Sequence, residues 1–212
     1  MRQEGSQKED EKTSMRLFVA LDIPEEAVQY ISAVQERLKP EVMADRWQPL
    51  HNLHLTLHFL GEVDERLVPA VCEDMDIVSA IIEPFTLRIG GFGAFPHAQH
   101  PRVLWLGLRG QTNPLKQLHL LLARRFELHE GVAYDRKRYR PHITLARGPQ
   151  AGSEGLPLMD WNERFLAPDS PRWKVRHVHL YRSELLPEGA VHTVIHTSTF
   201  DKDHSKKRAV PE

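Results

Sequence analysis

Two segments of this chain place a histidine and a threonine two residues apart within a strand-like pattern. The first segment, residues 53–59, alternates apolar with polar side chains and contains His54 and Thr56. Strict alternation is typical of a half-buried β-strand, in which every second side chain lies on the same face. The second segment repeats the arrangement with His142 and Thr144. Each predicted strand therefore carries an imidazole and a hydroxyl on one face.

A pair of histidines on facing strands can divide the work of a proton-transfer reaction. A neutral imidazole accepts a proton from a nucleophile, while a protonated one donates a proton to a leaving oxygen. This division suits displacement at phosphorus, where the hydroxyls of Thr56 and Thr144 can donate hydrogen bonds to the non-bridging oxygens. Arg147 can add charge-assisted bonds to the same oxygens. Strict alternation points Arg147 away from His142, so this role requires a strand end or a twist near Gly148.

The two motifs lie in a chain that repeats one order of elements. Each half is predicted to contain an apolar strand, a helix with an apolar stripe and then the motif strand. The first strands are at residues 16–23 and 102–108, and the helices are at 24–38 and 113–128. This weak duplication predicts two similar lobes related by a pseudo-twofold axis. Such an axis brings both motif strands to one shared cleft.

The remaining elements are predicted from local patterns. A helix is expected at residues 65–82, and further strands at 85–89, 173–181 and 191–199. Segments 40–50, 90–102 and 148–171 are predicted to be mostly loop. Asp22 and Asn113 are the predicted N-caps of the first and third helices.

The domain organisation is predicted to be simple. Residues 1–14 are polar and charged without an apolar period, which indicates a disordered N-terminal extension. Residues 15–200 are predicted to form a single bilobal domain. Residues 201–212 are predicted to form a flexible charged tail.

The composition limits the classes of function. With 41% hydrophobic and 27% charged residues, the 212-residue chain is typical of a globular protein. Its net charge of −1 gives no global field for nucleic acid, so binding of that kind requires a local basic patch. The single cysteine, Cys72, has a predicted packing role, excludes an internal disulfide and indicates a reducing compartment. No apolar run reaches the length of a membrane span.

Together these segments resemble a known superfamily. The motifs HLTLHFLGE and RPHITLAR, the opening RLFVALDIP, and PFTLRIGGFGAFP followed by PRVLWLGL are similar to segments of two-histidine (2H) phosphoesterases. They resemble most closely the bacterial RNA 2′,3′-cyclic phosphodiesterases, also called LigT-like or 2′-5′ RNA ligase proteins. The resemblance covers residues 15–200.

The resemblance implies a fold and a reaction. The fold is α+β, with two pseudo-symmetric lobes whose antiparallel sheets flank a central cleft. The reaction opens a 2′,3′-cyclic phosphate at the end of an RNA or nucleotide to a 2′-phosphomonoester, without a metal or other cofactor. At the matching motif positions His54 is the proton donor and His142 the proton acceptor. Thr56, Thr144 and Arg147 bind the phosphate.

Two positions depart from the family pattern. The family often has a second aromatic residue after Phe18, where this chain has Val19, and often a lysine after the first motif, where it has His58. Strict alternation puts His58 on the face of His54 but about 13 Å along the strand, so it is expected at the cleft rim or in solvent.

The other charged and metal-ligating candidates are assigned weaker roles. Seven further histidines lack the spacing of a metal-binding motif, so no metal is predicted. These are His51, His97, His100, His177, His179, His192 and His196. The basic run at residues 136–140 is expected to be a solvated loop or, alternatively, a surface that steers an RNA end towards the cleft.

Several hypotheses about function follow. The first is a cytoplasmic, monomeric cyclic phosphodiesterase with no membrane association and no obligate protein partner. The same acid and base serve the reverse reaction, 2′-5′ ligation of tRNA halves. A non-catalytic nucleotide- or RNA-binding module and a metal-dependent hydrolase are the remaining alternatives.

Overall fold

The computed structural model describes residues 13–187 and 189–200. The described strands are β1 (Ser14–Asp22), β2 (Ala44–Trp47), β3 (His54–Asp64), β4 (Phe85–Phe95), β5 (Val103–Gly110), β6 (His142–Pro149), β7 (Arg172–Val175), β8 (His177–Leu186) and β9 (Gly189–Thr199). The described helices are α1 (Glu25–Leu38), α2 (Val68–Ser79), α3 (Thr112–Phe126) and α4 (Leu158–Phe165). The predicted extension up to residue 12 and the predicted tail lie outside the described residues.

The strands form two antiparallel sheets. The first sheet has the order β3-β1-β8-β9, and the second has the order β2-β6-β5-β4-β7. Each sheet therefore contains one of the two motif strands, β3 in the first and β6 in the second. The predicted α+β fold with two antiparallel sheets flanking a cleft is confirmed.

Helices α1 and α3 link the two sheets, because each of these two packs on the sheet that its own preceding strand does not belong to. Helix α1 follows β1 of the first sheet, yet its buried residue Ile31 lies in the core formed by Leu104 and Ile143 of the second. Helix α3 follows β5 of the second sheet, yet Leu118 lies in the core with Leu55 of the first. Separating the sheets would expose both helix faces, at a cost of about 1.5–3 kcal/mol for each large apolar side chain.

The glycine-rich segment after residue 89 is not the predicted loop. Strand β4 continues to Phe95, with a bulge between Ile89 and Phe92. A Cβ atom at Gly93 would lie 2.1 Å from the ring of Trp105, so glycine allows this ring to lie flat against the strand. Gly93 therefore reflects a close approach between a side chain and the backbone.

Other predicted boundaries were wrong where a tertiary contact outweighs the local pattern. Segment 148–171 contains helix α4, whose Trp161 and Phe165 are buried in the second core. Segment 173–181 contains two strands that belong to different sheets, and segment 40–50 contains β2. Neither predicted N-cap is used, because α1 begins after Pro24 and α3 after Gln111.

None of the helices in the described part of the chain is long and apolar enough to cross a bilayer.

Candidate active site

The two motif strands meet at a cavity of about 180 Å³ between the sheets. The residues that line it include all five predicted site residues, which are His54, Thr56, His142, Thr144 and Arg147. The structure thus brings together, from opposite walls of one cleft, side chains that are far apart in sequence. The volume suits a phosphate group with its immediate substituents rather than a whole nucleotide.

A backbone carbonyl orients each imidazole in the same way. The Nδ1 atom of His54 lies 2.8 Å from the carbonyl oxygen of Asn52, and Nδ1 of His142 lies 2.7 Å from that of Arg140. A carbonyl only accepts hydrogen bonds, so Nδ1 carries the hydrogen in both rings. The Nε2 atom of each ring is therefore the one left for proton transfer.

A β-bulge in each motif strand changes which residues face the cleft. In β3 the pairing with β1 skips Leu57, and in β6 the pairing with β5 skips Leu145. The extra residue reverses the alternation, so the next residues that face the cleft are Phe59 and Arg147. Arg147 therefore reaches the side of His142 through a bulge at Leu145, and the strand end or twist predicted near Gly148 was the wrong cause.

The bulge at Leu57 buries His58, which was wrongly predicted at the rim or in solvent. The side chain of His58 is fully buried. Its Nε2 atom donates to the carbonyl oxygen of His119 at 2.8 Å, and its Nδ1 atom accepts the backbone N–H of Asp135 at 3.3 Å. Burial lowers the pKa of His58, so the ring is held neutral with both nitrogen atoms bonded.

A stack of rings attaches the segment before His142 to the opposite motif strand. The ring of His119 lies between those of His58 and Tyr139, at centroid distances of 4.0 and 4.1 Å. The hydroxyl of Tyr139 donates to the carbonyl oxygen of Thr56 at 3.2 Å. Since Tyr139 lies three residues before His142, these contacts help to hold the second motif at a fixed distance from the first.

Aromatic rings surround His54 on the wall formed by the first sheet. The ring centroid of Phe18 lies 4.9 Å from that of His54 and 4.9 Å from that of Tyr181, and it is stacked on the latter. His192 approaches His54 edge-on at 5.5 Å. Because Phe18 is only 3% exposed, it supports His54 and offers no free face to a base. Val19 lies on the opposite, core side of the sheet.

Phe59 is a candidate ligand-binding residue that alternation along the strand concealed. Its ring is 56% exposed and lines the cavity between the motifs. A large exposed aromatic side chain in a cleft can stack on a base. When the two motifs are aligned residue by residue, Phe59 occupies the position that Arg147 has in the second motif. This alignment was the available signal, since a strand that directs the side chain of Arg147 into the cleft implies that Phe59 points into it as well.

Both motif imidazoles are neutral at neutral pH in the unliganded protein. Burial, followed by the charge of His192, lowers the pKa of His54 to about 4, with smaller contributions from His142 and Arg147. Burial and the nearby guanidinium of Arg147 also lower the pKa of His142. Either neutral ring can act as a base, whereas keeping one of them protonated at neutral pH requires a compensating negative charge close by.

Other clusters in the described residues do not form a competing site. No group of three or more His, Cys, Asp or Glu side chains is placed to hold a metal ion within that part of the chain. Asp76, His196 and Ser198 lie together, but the same imidazole nitrogen contacts both the carboxylate and the hydroxyl. A nucleophilic triad needs opposite ring nitrogens for these two contacts. The basic run at 136–140 has exposed charged side chains that do not line the cavity.

Comparison with known proteins gives a consistent result. The sequence profile of the 2′-5′ RNA ligase superfamily matches residues 23–185. The RNA 2′,3′-cyclic phosphodiesterase of Thermotoga maritima is 32% identical over 190 residues, which cover 88% of this chain and 96% of that protein. The protein of the same name from Thermus thermophilus is 33% identical over 202 residues, which cover 92% of this chain and 95% of that protein.

Solved structures agree with the sequence relatives. The crystal structure of Escherichia coli LigT complexed with 3′-AMP has a TM-score of 0.66 and 27% identity, covering 89% of this chain and 99% of that chain. Its apo form has a TM-score of 0.64 and 28% identity, covering 88% of this chain and 97% of that chain. Since the profile spans well over half of the chain and the relatives match almost from end to end, the chain belongs to the 2′-5′ RNA ligase superfamily of two-histidine phosphoesterases.

Proposed function

We propose that this protein is an RNA 2′,3′-cyclic phosphodiesterase that opens a cyclic phosphate end to a 2′-phosphomonoester. The observation that carries the proposal is the pair of imidazoles whose Nδ1 atoms are held by carbonyl oxygens while both rings line one phosphate-sized cavity. The relatives named RNA 2′,3′-cyclic phosphodiesterase support the choice of substrate.

The proposed reaction uses the two rings in opposite directions. Nε2 of neutral His142 accepts a proton from water, and the water oxygen forms a bond to phosphorus. The bond between phosphorus and the 3′ oxygen breaks, and that oxygen takes the proton of protonated His54. The hydroxyls of Thr56 and Thr144 and the guanidinium of Arg147 bind the non-bridging oxygens, where negative charge grows in the transition state. The ring of Phe59 offers its exposed face to the base.

Substrate binding is proposed to let His54 take up from the solvent the proton that it later donates. The phosphodiester carries one negative charge, and placing it beside His54 raises the pKa of an imidazole that burial and positive neighbours lower. In the free enzyme both imidazoles are therefore neutral bases, and His54 becomes a proton donor when the anion binds.

The direct test is the product formed from adenosine 2′,3′-cyclic phosphate. The expected product is adenosine 2′-phosphate, with the same rate in the presence of EDTA, because the proposed steps use only side chains of this chain. Formation of the 3′-phosphate would reverse the identity of the leaving oxygen. Loss of activity on chelation, restored by a divalent metal, would instead support a metal-dependent hydrolase.

The pH dependence of kcat/KM provides a second test. This ratio reports the free enzyme, in which the pKa values of both His54 and His142 are lowered. The productive form carries one proton on the pair, so kcat/KM is expected to reach its maximum below pH 6.5 and to fall about tenfold per unit above it. The maximum of kcat is expected at higher pH, because bound phosphate raises the pKa of His54.

Replacing His192 by glutamine tests the cause of this acidic maximum. The charge of His192 is the second cause of the lowered pKa of His54, after burial. His192→Gln is therefore expected to move the kcat/KM maximum to higher pH. An unchanged profile would contradict the assigned coupling between the two rings.

Two further assays on the same protein preparation distinguish hydrolysis from 2′-5′ ligation and from binding without turnover. Incubation with tRNA halves that end in a 5′-hydroxyl and a cyclic phosphate tests 2′-5′ ligation, the reverse reaction. Tight binding of the cyclic nucleotide without turnover would favour a recognition module. We further propose that the protein consists of one bilobal domain and acts in the cytoplasm as a monomer. Sedimentation of the full chain tests whether it is a monomer.

A further inference from the structure

A second and larger cavity adjoins the site between the motifs. Its volume is about 610 Å³, within the range of pockets that hold small ligands. It shares His54, Phe59 and Arg147 with the smaller cavity, so the two are continuous. A cyclic phosphate held between the motif histidines therefore has room beside it for more of the RNA chain.

Positive side chains line this larger cavity from both sheets. Arg16 lies on β1 of the first sheet, and Arg46 lies on β2 of the second, where its register partner is Arg147. No Asp or Glu is among the described residues that line the cavity. In a chain with a net charge of −1, this is a local concentration of positive charge.

The two arginines have no ion-pair partner in the described residues. The salt bridges found in residues 13–187 and 189–200 involve neither Arg16 nor Arg46. Two exposed cations that line one cavity without an ion-pair partner create a positive potential that attracts a polyanion. The neighbouring imidazole of His192 has a lowered pKa, caused first by burial, with the charges of His51 and Arg16 acting in the same direction.

We propose that Arg16 and Arg46 bind a phosphate of the RNA chain on the 5′ side of the nucleotide that carries the cyclic phosphate. This inference rests on the proposed function, since it extends the same substrate beyond its reacting end. Phosphate contacts of this kind fix the position of a nucleic acid without reading its sequence. They make the protein prefer an RNA end over a mononucleotide.

Exposed apolar residues beside the arginines fit the rest of the upstream nucleotide. Leu185, Leu186 and Val191, near the turn between β8 and β9, line the same cavity and are 68%, 50% and 45% exposed. Apolar side chains can contact a ribose or the face of a base without hydrogen bonds to base edges. The subsite is therefore expected to tolerate any upstream base.

The test compares three substrates that share one reacting end. They are adenosine 2′,3′-cyclic phosphate, its 5′-phosphorylated form, and the dinucleotide ApA ending in a 2′,3′-cyclic phosphate. The expected order of kcat/KM is the unphosphorylated nucleotide lowest, with a gain of about tenfold when a 5′ phosphate is added by either route. A gain that appears only with the dinucleotide would assign the preference to the upstream nucleoside and overturn a phosphate subsite.

Arginine variants locate the subsite. Arg16→Gln and Arg46→Gln are each expected to lower kcat/KM for the dinucleotide more than for the mononucleotide, so the preference shrinks. Arg124→Gln, at an exposed arginine of α3 outside the cavity, is the matched control and should leave the preference unchanged. An unchanged preference in the double variant Arg16→Gln/Arg46→Gln would refute the proposal.

Binding measurements keep this inference separate from the proposed reaction. With the dinucleotide, the dependence of log affinity on log salt concentration is expected to become weaker in each arginine variant, whether or not the RNA is cleaved. If the protein binds the dinucleotide with the expected slope but cleaves nothing, the subsite stands and the phosphodiesterase assignment fails. If it cleaves all three substrates at equal kcat/KM and the slopes do not change, the assignment stands and the subsite fails.

Discussion

Replacing either His54 or His142 by alanine is expected to lower kcat on a 2′,3′-cyclic nucleotide by about 10²–10⁴-fold, the usual contribution of a well-placed acid or base. Both rings line the same cavity, and a carbonyl oxygen holds each through Nδ1. No other imidazole among the described residues lines that cavity, so none is placed to take over the proton transfer. The rates are measured as turnover of adenosine 2′,3′-cyclic phosphate at saturating substrate.

The effect must be separated from damage to the fold. His54 packs against Phe18, so its truncation also leaves a void beside an aromatic cluster. His54→Gln and His142→Gln keep most of the side-chain volume and provide the comparison, while His100→Ala removes an exposed histidine that does not line the cavity. Circular dichroism and thermal unfolding show whether each variant is folded.

The double variant tests whether the two rings act in one step. If both proton transfers belong to the same displacement, losing the second ring after the first costs little more, and the double variant should resemble the worse single one. A folded single variant that turns over at nearly the wild-type rate would remove the basis of the assignment. Fully multiplicative losses would instead mean that the two rings contribute independently of each other.

The sequence predicted which residues form the site more accurately than it predicted which face of a strand each residue occupies. Alternation was enough to pair His54 with Thr56 and His142 with Thr144, because those residues precede the bulges. Beyond Leu57 the alternation fails, since an extra residue in β3 turns His58 inward and Phe59 outward. A bulge depends on the pairing with a neighbouring strand, and no property of residues 53–60 alone indicates one.

The fold shows a similar division between local and tertiary information. The apolar stripe of α1 predicted a buried face, and Ala27, Ile31, Val34 and Leu38 are indeed buried. The stripe does not specify which sheet covers it, and the structure pairs α1 with the second sheet rather than the one that contains β1. Periodicity depends on burial alone, whereas the choice of partner depends on the shape of the whole chain.

The histidines are also expected to make the protein sensitive to mild acid. The pKa values of His54 and His119 are both lowered to about 4, in each case chiefly by burial. The unfolded chain then binds protons more readily than the folded one between pH 6.5 and 4, so stability is complete above pH 6.5 and falls as the pH drops through that window. Each group is expected to account for about 2–3 kcal/mol of that loss.

His119 allows the effect to be assigned to one side chain. Its ring lies between His58 and Tyr139, and its Nε2 atom is buried without a hydrogen-bond partner in the described part of the chain. His119→Phe keeps a stacked ring and leaves the backbone carbonyl that accepts the bond from His58. The variant is expected to be at least as stable as the wild type at pH 7, because it removes an unsatisfied polar atom.

Urea unfolding of the two proteins at pH 6.5, 5.5 and 4.5 tests this expectation. Between the first and last pH values the free energy of unfolding should fall less in His119→Phe than in the wild type, by about 2 kcal/mol. Acidic groups do not produce this difference. The pKa values of Asp22 and Asp76 are lowered from their ordinary value of 3.8, so these carboxylates reduce stability mainly below that pH. His100→Phe, at an exposed site, should keep the wild-type pH dependence. Equal losses in His119→Phe and the wild type would mean that this ring is protonated as readily in the folded chain as in the unfolded one.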